Sequence, residues 1–139
     1  AKMIGSSVCD KIDPAFSEYS TKFSNMLGGF AIQVENTLIK YGKKIVDNEL
    51  PLLRISNMTI ELYVALATLL RTSAILKDKN ISQDKKDYVT QLTHMVWRNS
   101  RYSFMGNFKS MAKNNDDIIQ KTVGLVNKNN GYALDILDY

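Results

Sequence analysis

Few residues in this chain combine the types and spacing that chemistry needs. His94 is the only histidine. It stands between Leu92 and Met95 with no cysteine or acid spaced to share a metal, so the pattern favours a structural histidine on a helix. Cys9 has no base nearby to generate a thiolate, and being alone it forms no intrachain disulfide. The carboxylates are scattered. Glu49 falls in a first helical turn, where the helix dipole favours an acid. Arg54 and Glu61 are seven residues apart, about two turns, and read as buried polar contacts to another helix. Asp116-Asp117 is a helix-opening pair rather than a catalytic dyad. Gly28-Gly29 has neither the spacing nor the preceding strand of a phosphate-binding loop.

The basic residues are the remaining candidates. Lys40, Lys43 and Lys44 form the densest cluster and would suit an anionic membrane surface, each lysine near such a surface contributing ~1 kcal/mol. Arg98, Arg101 and Lys109 form a looser row in which Trp97, Tyr102 and Phe104 interleave. That interleaving has the look of a base-stacking surface. Aromatics at helical spacing are more often core, and no nucleic-acid motif accompanies them, so no nucleic-acid partner is expected. From its residues the chain has no catalytic site, no cofactor site and no metal site.

The elements that would position these residues are helical. Between Asn48 and Leu76, Leu52, Ile55, Thr59, Leu62, Leu66 and Leu69 recur at steps of three and four. A second row, Leu53, Ile60, Tyr63, Ala67, Leu70 and Ala74, lies beside the first. A helix apolar over so much of its girth needs other helices or lipid around it. Its longest run without a charge, Leu62 to Leu70, falls short of the ~20 residues of a membrane span. The spacing therefore predicts the central helix of a bundle, with Leu62 and Leu66 at its centre.

Asp13-Pro14 is a helix start, Asp as N-cap and Pro at the first position. Phe16, Tyr19, Phe23, Met26, Leu27, Phe30, Val34, Leu38 and Tyr41 follow, a helix over 14–42. Gly28-Gly29 inside it marks either a break or a close helix crossing, and unbroken periodicity on both sides favours the crossing. An apolar patch is expected on this helix, where Phe16, Phe23 and Phe30 are too many aromatics for one seam. Asp47 and Asn48 cap the central helix over 49–77, with Pro51 in its first turn. A third helix, 82–112, is capped by Ser82. Its inward face is read as Tyr88 or Val89, then Leu92, Met95, Val96, Tyr102, Met105, Phe108 and Met111. A fourth, 116–130, would bury Ile118, Ile119, Val123, Leu125 and Val126 and end at Asn130-Gly131. The fold class is an all-α four-helix bundle over 13–139, after a mobile leader over 1–12 and with the tail 132–139 laid over the bundle.

Composition agrees. The 139 residues suffice for one domain with one core, and 45% apolar with 23% charged residues is ordinary for a globular chain. The net charge of +4 and pI near 9.1 tolerate an anionic partner without demanding one, because acids are interspersed with the bases.

The stretch from Leu38 to Leu76, LIKYGKKIVDNELPLLRISNMTIELYVALATLLRTSAIL, resembles the C-terminal extension of mitochondrial very-long-chain acyl-CoA dehydrogenases and of their paralogue that assists respiratory complex I assembly. The resemblance is carried by Leu38-Ile39-Lys40, Lys43-Lys44, Ile45-Val46 before Asn48-Glu49, Leu53-Arg54, Ile60-Glu61-Leu62-Tyr63 and Leu70-Arg71-Thr72-Ser73. Asn107-Phe108-Lys109-Ser110 and Gly131 extend it downstream, and Asp13-Pro14 stands where the family opens its first long helix. His94, Trp97 and the tail ALDILDY match no signature of the family and leave paralogue and lineage open. The resemblance implies the acyl-CoA dehydrogenase C-terminal-domain fold in a mitochondrial enzyme of fatty-acid β-oxidation. The FAD, the acyl-CoA and the glutamate that removes the α-proton would belong to the catalytic body upstream, none of them to this chain. Its implied partners are that catalytic body, a second copy in a dimer, and the inner-membrane surface. Alternatively, as in the complex I assembly paralogue, it holds a protein partner.

Overall fold

The computed structural model describes residues 10–131, and among them every regular element is helical. The Asp13 carboxylate accepts the Ala15 backbone N–H at 3.0 Å, capping a 3-10 turn, Pro14–Phe16. That turn runs into α1, Ser17–Tyr41. A 3-10 segment, Gly42–Asp47, leads to α2, Glu49–Lys77. Then come α3, Gln83–Ala112, and α4, Asp116–Lys128. Among the described residues the fold is all-α with four α-helices, as the periodicity predicts. Cys9 and the tail 132–139 lie outside the described residues.

Gly42 ends α1 at φ +51°, a left-handed conformation that favours glycine. Asn48 occupies the N-cap position of α2, but its side-chain amide reaches back to the Lys44 carbonyl at 2.7 Å instead of capping. Helix α1 passes through Gly28-Gly29 unbroken. A Cβ at Gly29 would sit 3.2 Å from the Phe108 ring, so this glycine lets the ring close on α1, as a helix crossing requires. Gly28 faces open space. Gly28→Ala is therefore expected to raise stability by ~0.5–1 kcal/mol, read as a higher urea midpoint at unchanged slope.

Helices α2 and α3 are antiparallel. The Asn57 amide donates to Asn107 Oδ1 at 3.4 Å near one end, and the Thr72 and Thr93 hydroxyls meet at 2.6 Å near the other. The seam between them is lined by Met58, Leu62, Ala65, Leu69 and Thr72 from α2 and by Thr93, Trp97, Ser100 and Phe104 from α3, all buried. The 3-10 turn closes the core with Phe16 and helix α1 with Phe23 and Met26, and Ile12 joins them. The Asp13 N–H donates to Ser73 Oγ at 2.7 Å, pinning the start of α1 to the end of α2.

This seam corrects the facing residues. Tyr88, Leu92, Met95 and Tyr102, expected inward on α3, are exposed. Thr93, Trp97, Ser100 and Phe104 take their place, two small hydroxylated residues alternating with two large aromatic ones. Thr93 donates to the Val89 carbonyl at 2.8 Å and Ser73 to the Leu69 carbonyl at 2.7 Å, so their hydroxyls are buried without being stranded. On α2, Leu62 is buried as expected, whereas Leu66 is only half-buried beside the core. The second row also fails to find cover: Leu53, Ile60 and Tyr63 are each more than half exposed. By length and composition α2 could cross a membrane, yet one face of it, with its paired threonine and serine hydroxyls, is the core of the bundle.

Helix α4 departs furthest from its expected packing. Ile118, Ile119, Val123 and Leu125 are exposed, Val126 is half-buried, and no residue of α4 is buried. Its hold on the body is at its first residue, where Arg54 grips Asp116.

Candidate docking surfaces

The outer side of α1 carries Leu27, Phe30, Ala31, Val34 and Leu38, spaced at three and four along the helix, with Ile39 beside them. They line an open apolar trough of about 640 Å³ in which Glu35 is the one charged residue. The patch expected on this helix therefore exists, but on different residues. Phe16 and Phe23 turn into the core and Phe30 alone of the three borders the trough.

Helix α4 presents a second such face. Ile118, Ile119, Thr122, Val123, Leu125 and Val126 share one side, while Gln120, Lys121, Asn127 and Lys128 occupy the other. The helix starts at a cleft lined by Lys40, Tyr41, Pro51, Arg54 and Met111. There both guanidinium NH2 groups of Arg54 donate to the Asp116 carboxylate, one at 2.7 Å, with the two side chains only 14% and 15% exposed. These hydrogen bonds hold the Asp116 carboxyl below its usual range and raise the Arg54 guanidinium. The polar contact foreseen for Arg54 is thus made to α4. No sequence signal distinguishes Asp116 from Asp117 as its partner; the distance between helix ends does.

Lys40 lies in the last turn of α1 with its ammonium 4.9 Å from the Tyr41 ring centroid. Lys43 and Lys44 follow on the 3-10 segment, and all three are exposed. Exposed Leu38, Ile39 and Val46 interleave with them, which places apolar and cationic groups on one corner of the bundle.

The aromatic row of α3 divides. Trp97 is buried and stacks on Tyr19 with centroids 4.8 Å apart, and Phe104 is in the core. Tyr102 alone is open, at 85% exposure. His94 Nδ1 meets the Tyr19 hydroxyl at 2.6 Å and the histidine ring packs edge-on against Phe16. It is a structural partner in an aromatic cluster. The hollows between α1 and α3, of about 260 and 510 Å³, are lined in common by Lys22, Arg101 and Met105.

The family model described as ACAD9/ACADV, C-terminal domain, matches residues 14–131. The chain belongs to this family. No curated protein and no solved structure matches it. The match to the ACAD9/ACADV C-terminal domain begins at the proline that opens the first helical turn and takes in all four helices. Both unfilled apolar faces, on α1 and on α4, therefore lie within the conventional extent of an ACAD9/ACADV C-terminal domain.

Proposed function

We propose that this chain is the non-catalytic C-terminal domain of an FAD-dependent acyl-CoA dehydrogenase of the very-long-chain type, working in mitochondrial β-oxidation, and that it docks on the catalytic body of that enzyme. The observation that carries this reading is the trough on α1, an apolar surface that nothing within the described residues covers. FAD and acyl-CoA chemistry stay with the body; this domain supplies a surface that holds the body, and through it the dimer, together. Val34→Glu places a carboxylate at the trough centre. Burying that charge unpaired costs well over the ~1.4 kcal/mol that equals a tenfold loss. Docking of the separately purified body, measured by calorimetry, should weaken at least ~10-fold. Unchanged affinity would remove the trough from the interface.

A second role is favoured by the corner where Lys40, Lys43 and Lys44 interleave with exposed Ile39 and Val46. This mixture suits an anionic membrane surface, cations to headgroups and apolar side chains just beneath. Cosedimentation with cardiolipin vesicles should fall when all three lysines become glutamine, and fall in the parent protein as salt rises. Equal binding by the triple variant would discard the lipid role.

A further inference from the structure

We propose that the outer stripe of α2 pairs, antiparallel and in one register, with the same stripe of a second copy of this chain. The stripe is Leu53, Ser56, Ile60, Tyr63, Ala67, Leu70 and Ala74. Its steps alternate between three and four without a slip over three heptads, about 32 Å of helix. That 3.5-residue period is the seam of a coiled coil, in which each side chain fits between residues of a facing helix. The stripe lies roughly opposite the buried row Met58, Leu62, Ala65, Leu69 and Thr72. Helix α2 is thus apolar on two sides, and the bundle uses one. Leu53, Ile60 and Tyr63 are 56%, 59% and 73% exposed, Ser56, Ala67 and Ala74 are exposed as well, and Leu70 is half-buried.

Charge names the occupant. Arg54 and Glu61, the charged residues between Leu53 and Leu70, fall outside the stripe, and Arg54 is committed to Asp116. Exposed Glu49 continues the register one step before Leu53, and exposed Lys77 continues it one step after Ala74. Arg71, also exposed, borders the stripe beside Leu70. None of these three makes an ion pair among the described residues. An acid at the start and two bases at the end make the stripe complementary to itself when reversed.

One register satisfies the whole stripe. With Ile60 opposite Tyr63 of the second copy, Leu53 faces Leu70, Ser56 faces Ala67, and Glu49 faces Ala74 between Arg71 and Lys77. Large side chains meet large ones, and the Ser56–Ala67 layers let the two backbones close. The two-fold axis makes each of these contacts twice. A parallel pair would instead set Glu49 against Glu49 and Lys77 against Lys77. A bilayer is the poorer partner, because Glu49 would face anionic headgroups and no base flanks the stripe between Leu53 and Leu70. The docking trough lies on α1, so this pairing is independent of it.

Sedimentation equilibrium of the full chain, residues 1–139, should show a dimer. Ile60→Glu puts a carboxylate in the middle of the seam and should weaken that dimer at least ~100-fold, with helix content by circular dichroism unchanged. Val34→Glu, in the α1 trough, should leave the dimer intact. Glu49→Lys should weaken it roughly 10-fold, and adding Arg71→Glu with Lys77→Glu should restore it. Cross-linking reads the register, with Cys9→Ser in every chain. Leu53→Cys mixed with Leu70→Cys should form a disulfide between chains. Either variant alone should not, since like positions stand 17 residues apart, about 26 Å. A wild-type chain still monomeric at ~100 μM would overturn the proposal, as would a disulfide in Leu53→Cys alone, the mark of parallel pairing. A dimer lost in Val34→Glu but kept in Ile60→Glu would move self-association to the trough and overturn it too. So would a monomer whose cosedimentation with cardiolipin vesicles is lost in Ile60→Glu, which would give the stripe to a bilayer.

Discussion

Replacing Phe104 by alanine is expected to lower the unfolding free energy by ~3–5 kcal/mol, the range for truncating a core aromatic. The ring is 1% exposed, packs in the core with residues of α1 and α2, and stacks on Phe108 with centroids 6.0 Å apart. Its removal leaves a void bordered by three helices, none of which can move inward without dragging the others. Tyr102→Ala, two residues away and 85% exposed, is the matched control, with an expected change within ~0.5 kcal/mol. The pair tests which face of α3 points inward, because periodicity alone puts Tyr102 on the core side. Urea denaturation of both variants decides it. Equal losses would mean that α3 is rotated from the orientation described.

Arg54→Gln is expected to release α4 and to cost ~1–2 kcal/mol. This is below the ~3–5 kcal/mol of breaking a fully buried pair, because the pair sits at the bundle's edge where water screens it. The pH dependence has a definite sign. Asp116 has its carboxyl lowered by the hydrogen bonds from Arg54, so the folded chain holds its proton less tightly than the unfolded chain. The pair's contribution is complete above the unfolded value near 3.8 and is lost as pH falls through the lower folded value. Arg54 stays charged throughout that range and adds no pH dependence of its own. Wild-type chain should therefore lose more stability between pH 6 and pH 2 than Arg54→Gln does, which is measurable by urea titration at both values. Parallel losses would show that Asp116 is not anchored by Arg54 in solution. Exchange at Ile119, whose N–H donates to the Asn115 carbonyl at 3.0 Å, should rise alongside, since α4 buries nothing that would hold it once the pair is gone.

Secondary structure was legible in the chain because each boundary has a local cause. Asp13-Pro14, Gly42, Pro51 and the polar run after Lys77 act on the backbone within a turn of themselves, so their effect does not await the rest of the fold. Which face of each helix turns inward was decided by tertiary packing. Large apolar residues dominate a periodicity argument, yet the α2–α3 seam closes over Ala65, Thr72, Thr93 and Ser100. These side chains are small, and the threonine hydroxyls among them find partners, Thr93 at the Val89 carbonyl of its own helix and Thr72 at Thr93 across the seam. The same packing left Leu53, Ile60 and Tyr63 outside, and turned Phe16 and Phe23 away from the patch their spacing suggested. Helix α4 marks the boundary most sharply. Its amphipathic pattern specifies that one side must leave water, but not whether the cover comes from this chain or another. Only the ion pair at Asp116, formed between residues 62 apart, decided where that face is held.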